Sequence, residues 1–549
     1  MVKRENSMVA MKAVIVDCLG RTVEGRRSTV DVIGAGPRRV AGVLEKLGLT
    51  VSLVPFELFV RELSKYKKYD VVLASAMSSD INVVKHLSST WHRTTTILGG
   101  PVAAGCIEKK TLYGYTLAVL GEGEKTLEEL FNRQVVFEEG VKIDDLPNIR
   151  GIIFKRSDGK ICFTGFREFL TRSEIDNYKS SIEAIRGYPL YWAARVYVEV
   201  VRGCSNFNRP RTPLKGFNKC INCGNCESSD FSRRMLCPVK IPPGCGYCSV
   251  PVLYGPARSR SINRIVEEVE DLIEIGVTRI VLGAPDILDY GRDWLVEPQP
   301  LTNPSYPPPN TDALEALFSE LTSIKRVERG EACILLENVK ANLVNEETAR
   351  LLGKYFRNSP IHIGCETGSA RHAKIIGRPA LPSHVIRAVK LLSENGLRPY
   401  VYFIHSLPYQ NESTVNATIR VMRRVVQFGA EKITVYKFRP LPLTAFSRML
   451  PKKSSNERKL ARKIVAEARR LNMALKKRIV GRVVRIIVVS SYEWRGRKYA
   501  LAYPLTHGPV VLLPQACEKF KGFVGVARIC LLYTSDAADE LDGVDLGGR

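Results

Sequence analysis

Between residues 11 and 134 short apolar runs alternate with amphipathic stretches. Ala13-Val14-Ile15-Val16, Val51-Ser52-Leu53-Val54, Asp70-Val71-Val72-Leu73, Thr95-Thr96-Ile97-Leu98 and Leu117-Ala118-Val119-Leu120 read as five strands, with a helix near Arg38 to Leu47. Short strands separated by helices predict an open, parallel α/β sheet. Gly99-Gly100-Pro101 and Gly121-Glu122-Gly123-Glu124 follow the fourth and fifth strands, at the end where such sheets bind ligands. Residues 151–195 read as a connector whose Ser157-Asp158-Gly159 turn joins two β-rich runs into a hairpin. From Val196 to about Met449 the alternation of strand and helix resumes. Six prolines between residues 296 and 310 exclude helix and central strand there and predict a surface excursion. A basic amphipathic helix over 450–480 comes next, then short alternating strands over 481–529.

The cysteines change the picture. Of fourteen, seven lie between Cys204 and Cys248. Cys220-x2-Cys223-x2-Cys226 followed by Cys237-Pro238 is close to a ferredoxin run, in which three closely spaced thiolates and a distant Cys-Pro hold an iron-sulfur cluster. The gap before Cys237 is ten residues, long enough to let Cys237 close the same cluster. A tetrahedral zinc site suits the paired C-x2-C spacing as well. Cys204 ends the β-branched run Glu199 to Gly203, and Cys245-Gly246-Tyr247-Cys248 places an aromatic residue before its last cysteine.

These phrases resemble the radical S-adenosylmethionine (SAM) superfamily, whose C-x3-C-x2-C loop follows the first strand of a partial (β/α)6 barrel. The resemblance implies that Cys204, Cys245 and Cys248 hold a catalytic 4Fe-4S cluster with one iron open to S-adenosylmethionine. Forty residues, 205–244, then form a ferredoxin-like insertion with a second, auxiliary 4Fe-4S cluster on Cys220, Cys223, Cys226 and Cys237. Cys237 is the alternative first ligand of the catalytic cluster. Ile361 to Ser369 with Gly377-Arg378-Pro379, and Tyr402 to Pro408 with Ser406 where glycine is usual, resemble barrel strands of tRNA methylthiotransferases. On this reading Tyr247, Asp286, Glu366 and Ser369 bind the cofactor, although a helix-capping role suits Ser369 nearly as well.

Residues 1–150, a Rossmann-like sheet, resemble a cobalamin-binding domain through Leu120 to Phe131 and Gly99-Gly100-Pro101. Gly99, Gly100, Gly121 and Gly123 would line such a site. The family's Asp-x-His-x-x-Gly loop is absent, since the first histidine is His86. Residues 481–529 resemble the TRAM domain, a small β-barrel that binds RNA, with Tyr492, Trp494, Arg495 and Arg497 as contact candidates. Cys530 to Glu540 resembles a translated sequencing adaptor, and residues 530–549 are set aside.

Composition fits a packed protein of several domains: 549 residues, 45% hydrophobic and 25% charged. No signal core and no membrane span are expected, and reduced thiols point to the cytoplasm. Lys and Arg number 82 against 56 Asp and Glu, a formal net charge of +26. That excess favours a polyanionic partner, or reflects only a basic surface. Together the features predict a radical enzyme that modifies RNA, with tRNA the leading class, by methylthiolation or methylation, fed by a ferredoxin or flavodoxin. Two other readings remain: a non-catalytic RNA-binding protein with a structural metal cluster, and a radical enzyme acting on a protein or small metabolite.

Overall fold

The computed structural model describes residues 11–18, 21–22, 25–26, 31–91, 95–451 and 454–532. The expectations for Met1 to Asn6, for Lys452 and for residues 533–549 of the adaptor-like tail lie outside them. Contacts divide the chain into two units, residues 1–30 with 34–189, and residues 31–33 with 190–549.

In the first unit β1 (Lys12–Asp17), β2 (Thr50–Pro55), β3 (Val71–Ser75), β4 (Thr95–Gly99) and β5 (Leu117–Val119) form a parallel sheet in the order 2-1-3-4-5. Their side chains are buried because helices cover the faces, which is why the strands read as continuous apolar runs. The connector hairpin is part of this sheet: β6 (Ile152–Lys155) adds antiparallel to β5, and β7 (Ile161–Phe163) to β6. Gly159 closes its turn at φ 83°.

The second unit is built on six parallel strand positions. β8 (Arg195–Glu199), β9 (Arg279–Gly283) and β10 (Cys333–Leu336) form one ladder, and β11 (Asn338–Val339), β12 (Pro360–Glu366), β13 (Arg398–His405) and β14 (Lys432–Lys437) the next. Only Glu337 separates β10 from β11, so the two ladders are consecutive parts of a partial (β/α)6 barrel. Val32–Ile33 pairs with the outer edge of β8. Residues 481–529, predicted as a small barrel, form a four-stranded antiparallel sheet of β15 (Val483–Trp494), β16 (Arg497–Pro504), β17 (Val511–Pro514) and β18 (Val524–Arg528).

Two segments are tied more closely to the barrel than the sequence shows. The proline-rich excursion is at the surface over Glu297–Gln299, Ser305–Tyr306 and Pro308, but it is anchored: Leu301 and Thr302 are buried, and the carbonyls of Thr302 and Pro307 accept hydrogen bonds from the buried guanidiniums of Arg234 and Arg292. Prolines lack the N–H, and two buried arginines meet the carbonyl side of this stretch instead. The basic helix, Ser455–Lys477, is no free-standing element. Leu460, Ile464, Ala468, Leu471 and Leu475 are buried in it, and Asn472 exchanges two hydrogen bonds with Ile433 of β14, so it belongs to the barrel's outer layer. No helix among the described residues is long and apolar enough to cross a membrane.

Charge closes the amino-terminal mouth of the barrel. Arg195 and Arg279, the first residues of β8 and β9, pair with Asp31 at 2.9 and 2.7 Å. The Leu505 and His507 carbonyls of the C-terminal sheet's connection accept from Arg279 Nε and Arg398 Nη1 at 3.3 and 3.2 Å. The C-terminal sheet therefore docks at the end opposite the barrel's carboxyl-terminal rim. Burial opposes the Asp31 charge, but Arg195 and Arg279 outweigh it and hold the carboxyl far below its usual range. Its contribution is thus present above the unfolded value of about 4 and is lost as pH falls through the depressed folded value. Asp31→Asn, which strands two buried guanidiniums, is expected to cost about 3–5 kcal/mol in chemical denaturation at pH 7. The difference from wild type should shrink in acid.

Candidate functional site

The site forms where β8 leaves the sheet. Val201 and Arg202 pair antiparallel with Ser259 and Arg258, and Arg202 is anchored to Glu199 at 2.8 Å. Gly203 then turns at φ 81°. A Cβ there would stand 2.1 Å from the Pro256 carbonyl oxygen, so only glycine brings the chain to Cys204, whose N–H donates to Gly255 O at 3.1 Å. The second loop is equally constrained. Gly244 N–H donates to Asn208 O, and Gly246 N–H donates to Ile376 O while its own carbonyl accepts from Phe446 N. A Cβ on Gly246 would lie 2.6 Å from the Phe446 ring.

Asn206 ties the two loops together. Its amide N–H points at Cys204 Sγ (3.4 Å), and its Nδ2 donates to Cys245 Sγ (3.3 Å) and to Gly377 O (3.1 Å). The side chain is 2% exposed. Burial pushes the Cys248 thiol up to about 12, helped by Cys245 and Cys204 and opposed by Arg378. Burial also raises Cys204, against the pull of the Lys340 ammonium. As free thiols these groups are therefore protonated, and metal is what would make their thiolates stable. Among the described residues no group of three or more His, Cys, Asp or Glu side chains is placed to hold a single metal ion. Thiolates on one zinc stand about 3.8 Å apart, at Zn–S of about 2.3 Å. Three ligands on three corners of an iron-sulfur cube stand farther apart, and N–H donors directed at sulfur suit such a set. The Cys204, Cys245 and Cys248 constellation, with N–H donors directed at two of its sulfurs, suits thiolates held by metal.

Beside the thiols stands a polar triad. Tyr247 Oη donates to Glu366 Oε1 at 3.2 Å, Arg378 Nη1 lies 3.0 Å from the same oxygen, and Arg378 Nη2 donates to Gly364 O at 2.6 Å. Gly364 leaves the space, since a Cβ would sit 2.6 Å from Glu366 Oε1. Burial raises the Glu366 carboxyl, with Arg378 and Tyr247 acting the other way. Glu366 adopts φ 61°, a strained conformation for a residue with a Cβ. Its Oε2 and Arg378 Nε are buried without a hydrogen-bond partner. An acceptor and a donor left open at a barrel rim fit a ligand with an amino or hydroxyl donor and an acidic acceptor.

The other predicted residues fall as follows. Asp286 Oδ1 accepts the Leu288 and Lys340 amides, and the carboxyl, pushed up to about 6 by burial, faces Lys340 at 3.3 Å. Ser369 caps the helix Ala370–Ile375 by accepting from His372 N. Ser406 takes φ 61°, which explains glycine as the residue to expect there. In the insertion, Cys220, Cys237 and Cys226 accept N–H contacts from Asn222, Ile241 and Arg209 at 3.4, 3.3 and 3.4 Å, and Cys223 is exposed. Cys220 and Cys237 pack against the same core, Leu214, Ile241 and Phe446, as Tyr247. In the first unit Gly100 turns at φ 86° with room only for hydrogen, 2.5 Å from Ala76 O, and Gly121 turns at φ 77°. Gly99 and Gly123 are in ordinary van der Waals surroundings. Tyr492, Trp494, Arg495 and Arg497 gather at one hairpin tip, with Arg495 4.6 Å over the Trp494 ring and a turn at positive φ on both Arg495 and Gly496.

Sequence reasoning missed Asn206, Arg209 and a buried ion network. Lys340 meets Asp289, Asp286 and Ser205 Oγ, and Asp289 also holds Arg292 and the Ser205 hydroxyl. Arg209 donates to the carbonyls of Ile241, Phe207, Arg234 and Met235 and so braces the insertion. Only the adjacency of Ser205 and Asn206 to Cys204 could have drawn attention to any of these.

Residues 237–422 match the family model of the Radical SAM superfamily, a span that begins at Cys237 and leaves Cys204 outside. The chain is 40% identical over 514 residues, 93% of its length, to an uncharacterized protein of Methanopyrus kandleri, 92% of which is covered. It is 27% identical over 186 residues to the ribosomal protein uS12 methylthiotransferase RimO of Citrifermentans bemidjiense, 34% of this chain and 28% of that one. Its fold is similar to that of the radical S-adenosylmethionine methyltransferase TsrM of Kitasatospora setae, solved with cobalamin and a 4Fe-4S cluster bound. The TM-score is 0.53 at 14% identity, covering 79% of this chain and 77% of the other.

Gly203→Ala is expected to lose the iron of one cluster, about half of the total if both four-cysteine and three-cysteine sites fill. Iron and sulfide content after anaerobic reconstitution checks this, with Gly525→Ala, which has open space around it, as the control.

Proposed function

Because the chain belongs to the radical SAM superfamily, we propose that it is an RNA-modifying enzyme that adds a methyl or methylthio group, with tRNA the substrate class. The observation that carries the catalytic half is the convergence of Cys204, Cys245 and Cys248 beside the open Glu366 and Arg378 atoms. When bound, a cluster with one open iron supplies the electron that cleaves S-adenosylmethionine to methionine and a 5′-deoxyadenosyl radical. The chain's own residues do the rest. Cys204, Cys245 and Cys248 are the ligands, Asn206 holds two of their sulfurs in place, and Lys340 counters the charge of the first. Glu366 accepts from a donor group of the cofactor, and Tyr247 and Arg378 orient that carboxylate.

Cys220, Cys223, Cys226 and Cys237 are assigned to an auxiliary cluster. Four cysteine ligands leave no iron open for sulfur transfer, which favours electron relay from a ferredoxin- or flavodoxin-like donor and, with it, methylation. Cobalamin is given no step. No histidine among the described residues of the first unit stands in a strand-end loop, His86 lying inside the helix Ile81–Thr90, and Ala76 already accounts for the turn at Gly100.

The RNA half rests on the net charge of +26 and on the aromatic and basic hairpin Tyr492–Arg497. A second reading, a protein substrate, is favoured by the likeness to RimO, named for its action on a ribosomal protein. Anaerobic protein with S-adenosylmethionine and a one-electron reductant is expected to form 5′-deoxyadenosine, and Cys245→Ala to form none. Glu366→Gln should raise KM for S-adenosylmethionine about 10–100-fold, the loss of one charge-assisted contact worth about 1.5–3 kcal/mol. Methyl transfer from labelled cofactor to bulk tRNA supports the RNA substrate; transfer to ribosomal protein alone would replace it with the second reading.

A further inference from the structure

The barrel's outer layer carries its positive charge on one side. Helix Glu412–Gln427 follows β13, and helix Ser455–Lys477 packs against it and against β14. The direction of the longer helix is set by Asn472, near its carboxyl end, which bonds Ile433 near the start of β14. The helix therefore runs antiparallel to the strand. Its amino end, capped by Ser454, lies toward the rim that holds the thiols, and its carboxyl end leads to the C-terminal sheet at the opposite mouth. At 1.5 Å per residue it spans about 34 Å.

With Leu460, Ile464, Leu471 and Leu475 turned inward, Arg458, Arg462 and Arg469 share the outward stripe at spacings of four and seven. All three are exposed and none has an acidic partner among the described residues. Lys459, Lys463 and Arg470 flank that stripe, and Arg420 and Arg424 continue it on the neighbouring helix. Acid is scarce: Glu412 pairs with Lys463 at 2.8 Å and Glu467 with both Arg423 and Arg470, which leaves Glu457 in the first turn of the longer helix.

We propose that this two-helix face is a track for the phosphate backbone of an RNA substrate, leading from the C-terminal sheet along the outside of the barrel to the rim. The inference rests on the RNA reading above and adds where the nucleic acid lies. Guanidiniums in a row suit phosphates, which they bind through paired N–H donors. The length matches about one turn of a duplex, roughly 34–36 Å. The track also resolves a geometric difficulty, because the Tyr492–Arg497 hairpin belongs to a sheet docked at the wrong end of the barrel for direct access to the thiols. An anionic membrane is the poorer partner, since the helix Ser455–Lys477 contains no aromatic residue to enter lipid.

The test is binding of bulk tRNA to the reconstituted full chain and to the Arg458→Gln/Arg462→Gln/Arg469→Gln variant, by anisotropy between about 50 and 300 mM salt. Iron content and melting temperature verify that the variant is folded. Each phosphate contact contributes about 0.7–0.9 to the slope of log K against log salt, so the triple variant should lose about 2–3 of slope and bind at least about tenfold more weakly near 100 mM salt. Unchanged slope and affinity in the variant, with binding abolished by Arg495→Gln/Arg497→Gln, would overturn the track and leave RNA binding to the hairpin. Absence of tRNA binding by the wild-type chain at low salt sinks the RNA reading itself. Loss of binding to phosphatidylserine vesicles, with tRNA binding intact, would assign the face to a membrane instead.

Discussion

The candidate site depends on backbone approaching backbone more closely than any side chain allows. Gly203 lies against the Tyr254–Pro256 carbonyls, Gly246 against the Phe446 ring, and Gly377 against Gly244 and Pro210. Each contact brings one loop to the next, and Asn206 reaches across the gap they leave to both Cys204 and Cys245. Without those approaches three cysteines drawn from two loops forty residues apart would not come together. The cost is conformational: three of these glycines, 203, 244 and 377, hold positive φ, where any other residue is strained.

Electrostatics then divides the barrel along its axis. At the amino-terminal mouth Asp31, Arg195 and Arg279 compensate one another, and burial with neighbouring cations pushes His362 down to about 3. That end carries the rings of His362, Tyr400 and His507 and a balanced set of charges. At the rim the balance is incomplete. Glu366 Oε2 and Arg378 Nε are buried and open, and Lys340 sits among Asp286, Asp289 and the Cys204 thiol with its ammonium form favoured. Burial also pushes Glu337, between β10 and β11, up to about 8, so it is largely protonated at neutral pH. Open polar atoms beside the thiols suit a barrel whose chemistry lies at its carboxyl-terminal rim.

The insertion and the C-terminal sheet serve this core from outside. Arg209 and Arg234 replace the regular secondary structure that residues 205–244 largely lack, spending their donors on carbonyls of the insertion and of the proline-rich segment. The two segments that looked least structured in the sequence therefore stabilise each other. The basic helix shows the same economy, one face packing the barrel and the other exposing unpaired guanidiniums.

The sequence alone determined the class of fold, because buried parallel strands are apolar without interruption and their turns need glycine. It also pointed to bound metal, because cysteine spacing is a local property. Local patterns reached Cys245, Tyr247 and Cys248, and they placed Glu366 at a strand end. Tertiary structure alone decided which residues meet. Lys340 stands by the Cys204 thiol from 136 residues away and Tyr247 reaches Glu366 from 119 residues away, and no periodicity encodes such a contact. It also decided what anchors the 296–310 excursion and which strand the basic helix packs against. Both follow from partners, a pair of buried arginines and a strand backbone, that a window of neighbouring residues does not contain.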